Sequence, residues 1–80
     1  MEETRVALIS IIVKNGDSVN GINEYLHEYS DYIIGRMGIP YKKRQISIIS
    51  IALDAPNDMI NALSGKLGNL DGVTSKVIYN

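Results

Sequence analysis

Few side chains in this 80-residue sequence are of the types that carry covalent or metal chemistry. The chain contains no cysteine, which excludes a thiolate zinc site, an iron–sulfur cluster and a cysteine nucleophile. A serine nucleophile needs a base and an orienting acid, and the one histidine, His27, falls beside an apolar helical stripe, as a surface histidine does. The alternatives for His27 are a role at a subunit contact or as one ligand of a metal site shared with another chain. We expect no catalytic residue, no cofactor and no metal site within this chain.

The segment Asn15-Gly16-Asp17-Ser18 combines a flexible glycine with backbone donors at the start of a predicted helix. Such a turn can bind an anion or a carboxylate, because the first N–H groups of a helix lack partners within the helix. A plain turn capped by Asp17 or Ser18 is the alternative. The predicted ligand-binding residues are Asn15, Gly16 and Asp17.

Two further segments contain features of binding motifs. Tyr41 precedes Lys42-Lys43-Arg44, three cations that could contact phosphate or an acidic partner, although a solvated loop is the simpler interpretation. The segment Ser64-Gly65-Lys66-Leu67-Gly68 lacks the upstream glycine of a phosphate-binding loop and falls late in a predicted helix. We therefore expect structural roles for its glycines: Gly65 where the helix closely approaches the sheet or another subunit, and Gly68 at a positive φ that ends the helix.

Short runs of β-branched residues separated by turn residues predict four strands, at positions 5–14, 32–41, 45–53 and 73–79. Apolar residues at helical spacing predict two helices between them. The first helix carries Val19, Ile22, Leu26 and Tyr29, and the second, beginning near Pro56, carries Met59, Ile60, Leu63 and Leu67. The order β-α-β-β-α-β predicts a ferredoxin-like α+β fold, in which two helices cover one face of a four-stranded antiparallel sheet.

The first and third strands are apolar on both faces, so a single layer of helices cannot cover them completely. We assign the richer faces to the helices and expect a partly apolar surface on the other side of the sheet. The faces assigned to the helices carry Ala7, Ile9, Ile11 and Val13 on the first strand and Ile49, Ile51 and Leu53 on the third. This open-face patch comprises Leu8, Ser10, Ile12, Ile46, Ile48 and Ser50. Exposed apolar patches mark interfaces, so we predict a homo-oligomer, a dimer or tetramer; the alternative is a monomer in which twist and long neighbouring side chains hide the patch.

Composition restricts the class of protein. The chain is 45% hydrophobic with a formal net charge of −1, which fits one small domain, 1–80, with no overall attraction to nucleic acid or anionic membranes. The N-terminal residues are acidic, and no apolar run approaches the roughly 20 residues that span a bilayer. A cytoplasmic location without membrane attachment is therefore expected.

Four segments carry a resemblance to a known family: LHEYSD at 26–31, IGRMGIPY at 34–41, NALSGKLG at 61–68 and DGV at 71–73. Together they resemble the small family of iron-only hydrogenase system regulators over essentially the whole chain. That family resembles ACT-like ligand-sensing domains and the C-terminal domain of the nickel-responsive repressor, which implies an oligomeric regulatory module whose ligand turn is Asn15–Asp17. The repressor builds its metal site from several histidines and a cysteine, so the resemblance does not extend to nickel sensing.

Three functions follow from these observations. The leading one is a regulatory, ligand-sensing module that binds a small-molecule effector or a protein partner. The resemblance implies a candidate transcriptional regulator linked to the iron-only hydrogenase system, for which we expect no direct contact to nucleic acid. The second is a nucleic-acid or protein binder that uses Lys42, Lys43 and Arg44. The third is a small ferredoxin-like enzyme, in which Arg36 would meet an anion together with Asn15.

Overall fold

The computed structural model describes residues 3–80, so the first two positions of the predicted domain lie outside the described residues. The strands are β1 (Arg5–Val13), β2 (Ile33–Tyr41), β3 (Ile46–Ala55) and β4 (Val73–Tyr79), and the helices are α1 (Val19–Glu28) and α2 (Asn57–Gly68). Short 3-10 turns occupy Gly16–Ser18, Ser30–Tyr32 and Lys42–Arg44. Neither helix in the range 3–80 has the length and hydrophobicity needed to cross a bilayer.

The four strands form one antiparallel sheet in the order β2-β3-β1-β4, with β1 and β3 in the centre. This order and the two helices confirm the predicted ferredoxin-like α+β fold. The register between the central strands is set by pairs such as Ile9 with Ile51, and Ser10 with Ser50. Alternate residues of each central strand therefore point to opposite faces of the sheet.

The hydrophobic core lies between the helices and one face of the sheet. The buried side chains of the central strands are the predicted ones, Ala7, Ile9, Ile11, Val13, Ile49, Ile51 and Leu53. The helices contribute Ile22, Leu26, Tyr29, Ile60, Leu63 and Leu67. Val19 was predicted to belong to this set, yet it is 39% exposed because it begins α1 at the rim of the sheet.

Element boundaries differ from the predictions by one or two residues. β2 starts at Ile33 because the preceding three residues form a 3-10 turn, and β3 starts at Ile46 because Gln45 adopts a left-handed conformation with φ 55°. β3 continues to Ala55, which is fully buried and pairs with Arg5. The bounds of β4 match the prediction.

The expected roles of two glycines are corrected. Gly68 is the last residue of α2, but the helix is followed by Asn69 in a right-handed conformation, and the glycine with positive φ (70°) is Gly72. Gly65 makes no close approach within the chain, since a Cβ added there would have no atom within 4 Å. The chain therefore turns into β4 at Gly72, the residue with positive φ directly before that strand.

Candidate functional site

The face of the sheet opposite the helices carries two apolar rows that cross the strands. In the first row Ile48 lies at the centre and pairs with Ile12 on β1 and Ile39 on β2. In the second row Leu8 pairs with Ala52 on β3 and with Ile78 on β4. Leu8, Ile12 and Ile48 are 40%, 41% and 42% exposed, so the structure leaves these predicted patch residues open to solvent.

A serine row separates the two apolar rows. Ser10 and Ser50 face each other across β1 and β3, flanked by Met37 on β2 and Lys76 on β4. Ser50 is half-buried and Ser10 is exposed. The remaining predicted patch residue, Ile46, is half-buried at the start of β3 beside the β2–β3 turn.

The structure extends the open-face patch beyond the residues found from the sequence. Met37, Ile39 and Ile78 lie on the same face and are 70%, 59% and 62% exposed. The two-residue spacing of Met37 and Ile39 was the available signal in β2, but Gly38 and Pro40 weaken the strand pattern around it. Because side chains of all four strands form it, the apolar surface has the character of an interface.

The predicted ligand turn is held by its own side chains and by the loop before β4. The Asn15 Oδ1 accepts a hydrogen bond from the Asp17 N–H at 3.0 Å, and the Asn15 Nδ2 donates to the Asp71 carboxylate at 2.6 Å. The Ser18 hydroxyl donates to the Asp71 carbonyl at 2.5 Å. Asn15 therefore caps the Gly16–Ser18 3-10 turn. Ser18, one of the two predicted caps, holds the N-cap position of α1, but its side chain makes no capping hydrogen bond to that helix.

Gly16 differs from its neighbours because it faces open space. A Cβ added at Gly16 would meet no atom within 4 Å, and the residue lines a cavity of about 260 Å³ between the β1–α1 turn and the β2–β3 hairpin. Val19, Pro40 and Lys42 form other parts of its wall. Asn15 and Asp17 do not line this cavity, so the structure brings only one of the three predicted ligand residues to it.

The other chemically interesting side chains lie apart from this turn. His27 is exposed near the end of α1. The Arg36 guanidinium donates to Asn23 on α1 at 3.3 Å rather than meeting Asn15. Within residues 3–80, no three His, Asp or Glu side chains come together as a metal-binding group.

Lys66 on α2 has a raised pKa. Hydrogen bonding to the Tyr29 side chain raises the pKa of Lys66 above its ordinary value, desolvation opposes this shift, and the Glu28 carboxylate at 3.4 Å raises the pKa further. The ammonium also lies 5.1 Å from the Tyr29 ring centroid and 5.6 Å from that of Tyr25. These contacts join the two helices at their outer surface.

Comparison with known proteins gives one family. The family described as "TM1266-like: Iron-only hydrogenase system regulator, putative" matches residues 5–77. The chain is also similar to a solved structure, the uncharacterized protein TM1266 from Thermotoga maritima, with 37% identity and a TM-score of 0.92. That match covers 96% of this chain and 98% of TM1266. A comparison with curated proteins gave no significant match.

More distant solved structures share the fold alone. A formyltetrahydrofolate deformylase from Pseudomonas putida KT2440 is 11% identical with a TM-score of 0.66, over 91% of this chain and 28% of that one. The divalent ion tolerance protein CutA1 from Ehrlichia chaffeensis is 16% identical with a TM-score of 0.51, over 96% of this chain and 82% of that one. Fold does not specify function, so neither protein's activity extends to this chain.

Proposed function

Because this chain belongs to the TM1266-like family of iron-only hydrogenase system regulators, we propose that it is a non-catalytic, cytoplasmic regulatory module of that system. It assembles as a dimer or tetramer through the open-face patch. The assembly binds a small-molecule effector or a protein partner, and the β1–α1 turn with Asn15, Gly16 and Asp17 belongs to the effector-binding region.

The exposed apolar face of the sheet is the observation that carries this proposal. Ile48 lies in an unbroken row of three isoleucines with Ile12 and Ile39, and burying such side chains stabilises an assembly by roughly 25 cal/mol for each Å² removed from water. A domain of about 80 residues gains little stability from its own core. A second copy on this face would add the missing apolar burial.

The assembly is tested by the mass of the protein in solution. Ile48→Glu would place a carboxylate without a partner at the centre of the interface, so we expect the variant to be a monomer at concentrations where the wild type is a dimer or tetramer. Val19→Glu is the matched control, because Val19 has a similar exposure of 39% but lies at the start of α1, on the helix side of the sheet. Native mass spectrometry of both variants, with circular dichroism to verify folding, makes the comparison.

Two outcomes would contradict the assembly. One is a monomeric wild type, and the other is an Ile48→Glu variant with the subunit count of the wild type.

The same spectrum, recorded on protein purified from its own host, tests the effector: a retained mass that disappears on Gly16→Val would support binding beside the turn. Retention of that mass by the variant would contradict a role for Gly16.

The basic turn supports a second candidate, binding of nucleic acid or an acidic protein. Lys42, Lys43 and Arg44 are all exposed, and Lys14 and Arg44 line the same surface depression. Binding through these cations would weaken steeply as salt rises, because it releases counterions from the nucleic acid. Gel-shift or anisotropy measurements at two salt concentrations test this, and salt-independent binding would contradict it.

A further inference from the structure

A second groove lies on the helix side of the sheet, between the later half of α1 and the first half of β2. It is an open groove of about 470 Å³, within the range of roughly 300–1,000 Å³ typical of small-molecule sites. Leu26 from α1 forms one part of its apolar wall, and Ile33 and Ile34 from β2 form the rest. The groove is at the end of α1 opposite to the Asn15–Asp17 turn, so it is separate from the effector region described above.

The polar lining of this groove is entirely neutral or basic. Asn23, His27 and Ser30 contribute from α1 and the turn after it, and Arg36 contributes from β2. No aspartate or glutamate of the described residues lines the groove. In a chain whose formal net charge is −1, this is a local site suited to a negative ligand.

Arg36 retains unused hydrogen-bonding capacity. Its one side-chain hydrogen bond among residues 3–80 goes to the neutral Asn23 Oδ1 at 3.3 Å. Arg5 provides a contrast, since it lies 4.2 Å from the Tyr79 ring centroid and donates to both Asn57 and the Asn80 carbonyl. The guanidinium of Arg36 carries five N–H donors in a planar fork, so most of them remain available to a ligand in the groove.

We propose that this groove binds a small organic carboxylate that carries no positive charge. The ligand carboxylate accepts paired hydrogen bonds from the guanidinium of Arg36, which Asn23 positions. The apolar body of the ligand packs on Leu26, Ile33 and Ile34. A ligand ammonium would find no counter-charge in the lining, and a phosphate would leave the apolar wall unused.

The test is a set of two-dimensional amide NMR titrations of the full chain with hexanoate, hexylammonium and inorganic phosphate. We expect saturable shifts with hexanoate, confined to residues of α1 after Asn23, the Ser30–Tyr32 turn and the first half of β2. Hexylammonium and phosphate should each bind at least about tenfold more weakly. The ammonium cannot accept hydrogen bonds from Arg36, and phosphate has no apolar body to pack on Leu26, Ile33 and Ile34. Absence of saturable shifts, equal binding of hexylammonium or of phosphate, or shifts centred on the open-face patch would each overturn the proposal.

Variants separate the role of Arg36 from general loss of charge. Arg36→Gln removes the fork and should weaken hexanoate binding by roughly tenfold or more. Arg44→Gln removes one positive charge at the opposite end of β2, in the exposed turn, and should leave binding unchanged. An Arg36→Gln protein with a native amide spectrum and undiminished affinity would overturn the assignment. Oligomeric state is read separately by mass, so failure of this proposal and failure of the open-face assembly are distinguishable.

Discussion

Gly72 packs directly against Asn15. A Cβ added to Gly72 would lie 2.8 Å from the Asn15 Cβ and 2.9 Å from its backbone nitrogen, and Gly72 has a φ of 70°. The Lys14 N–H donates to the Gly72 carbonyl at 2.7 Å. The loop before β4 and the end of β1 are thus locked together, and they fix the position of the predicted ligand turn.

Gly72→Ala is expected to destabilise the protein. The left-handed conformation costs an L-residue roughly 1–2 kcal/mol, and the clash with Asn15 involves backbone atoms that cannot rotate away. The free energy of unfolding should therefore fall by at least about 2 kcal/mol, measured by urea denaturation. An unchanged midpoint would contradict the packing of these two residues.

Gly65→Ala is expected to have the opposite effect. Gly65 lies inside α2 with no atom near the added Cβ, and alanine is favoured over glycine in a helix by about 1 kcal/mol. The same denaturation experiment should show a gain in stability of roughly that size. A loss would indicate that Gly65 contacts another subunit closely, which sequence considerations had left open.

Ser18→Ala tests the second link between the turn and the loop. The Ser18 side chain is 8% exposed, and its hydroxyl donates to the Asp71 carbonyl. Removing the hydroxyl leaves that acceptor without this partner, which should lower the free energy of unfolding by about 1–3 kcal/mol. Ser10→Ala is the control, because Ser10 is exposed on the open face and should change stability by less than about 0.5 kcal/mol. Equal effects of the two substitutions would argue against the Ser18–Asp71 bond.

Gln45→Gly is expected to stabilise the β2–β3 connection. Gln45 has φ 55° and ψ 41°, and it is exposed at the end of the basic turn. Glycine avoids the steric penalty of roughly 1–2 kcal/mol that a Cβ incurs in this conformation, but it loses more chain entropy on folding. Thermal unfolding should therefore shift upward by an amount equivalent to a net gain of about 0.5–1 kcal/mol. Gln45→Ala keeps the Cβ and should give no such gain; a gain with alanine would mean that the left-handed backbone is not the cause.

The fold followed from the sequence because its signals are local. Ile9 and Ile11 alternate with Leu8, Ser10 and Ile12, so one strand specifies both the core and the open face. The left-handed Gln45 gave no such signal, since its conformation is typical of glycine or asparagine rather than glutamine. Strand limits at that point were therefore misplaced by one residue.

The candidate sites are held by contacts between residues that are far apart in the sequence. Sequence patterns, which are local, therefore identified only parts of these sites. The Asn15–Asp71 hydrogen bond joins residues 56 positions apart, and no spacing rule relates them. The Arg36–Asn23 contact depends on how α1 crosses the edge of the sheet. The open-face patch was recognised because Leu8, Ile12 and Ile48 lie on central strands, whereas its extension to Ile39 requires the β2–β3 register.

Stability at alkaline pH should depend on Lys66. Hydrogen bonding to Tyr29 raises the pKa of Lys66 in the folded protein above the ordinary value of 10.5. The protonated ammonium is thus favoured by folding, and its contribution is complete below about pH 10.5 and is lost as pH rises through the higher folded pKa. In Lys66→Met this contribution is absent at every pH, so its stability should decline less steeply than that of the wild type above about pH 10.5. The measurement is urea denaturation across the alkaline range, with Lys43→Met as a control that removes a charge from the exposed basic turn. If Lys66→Met and Lys43→Met follow the wild-type profile in parallel, the interaction of Lys66 with Tyr29 and Glu28 does not stabilise the folded chain.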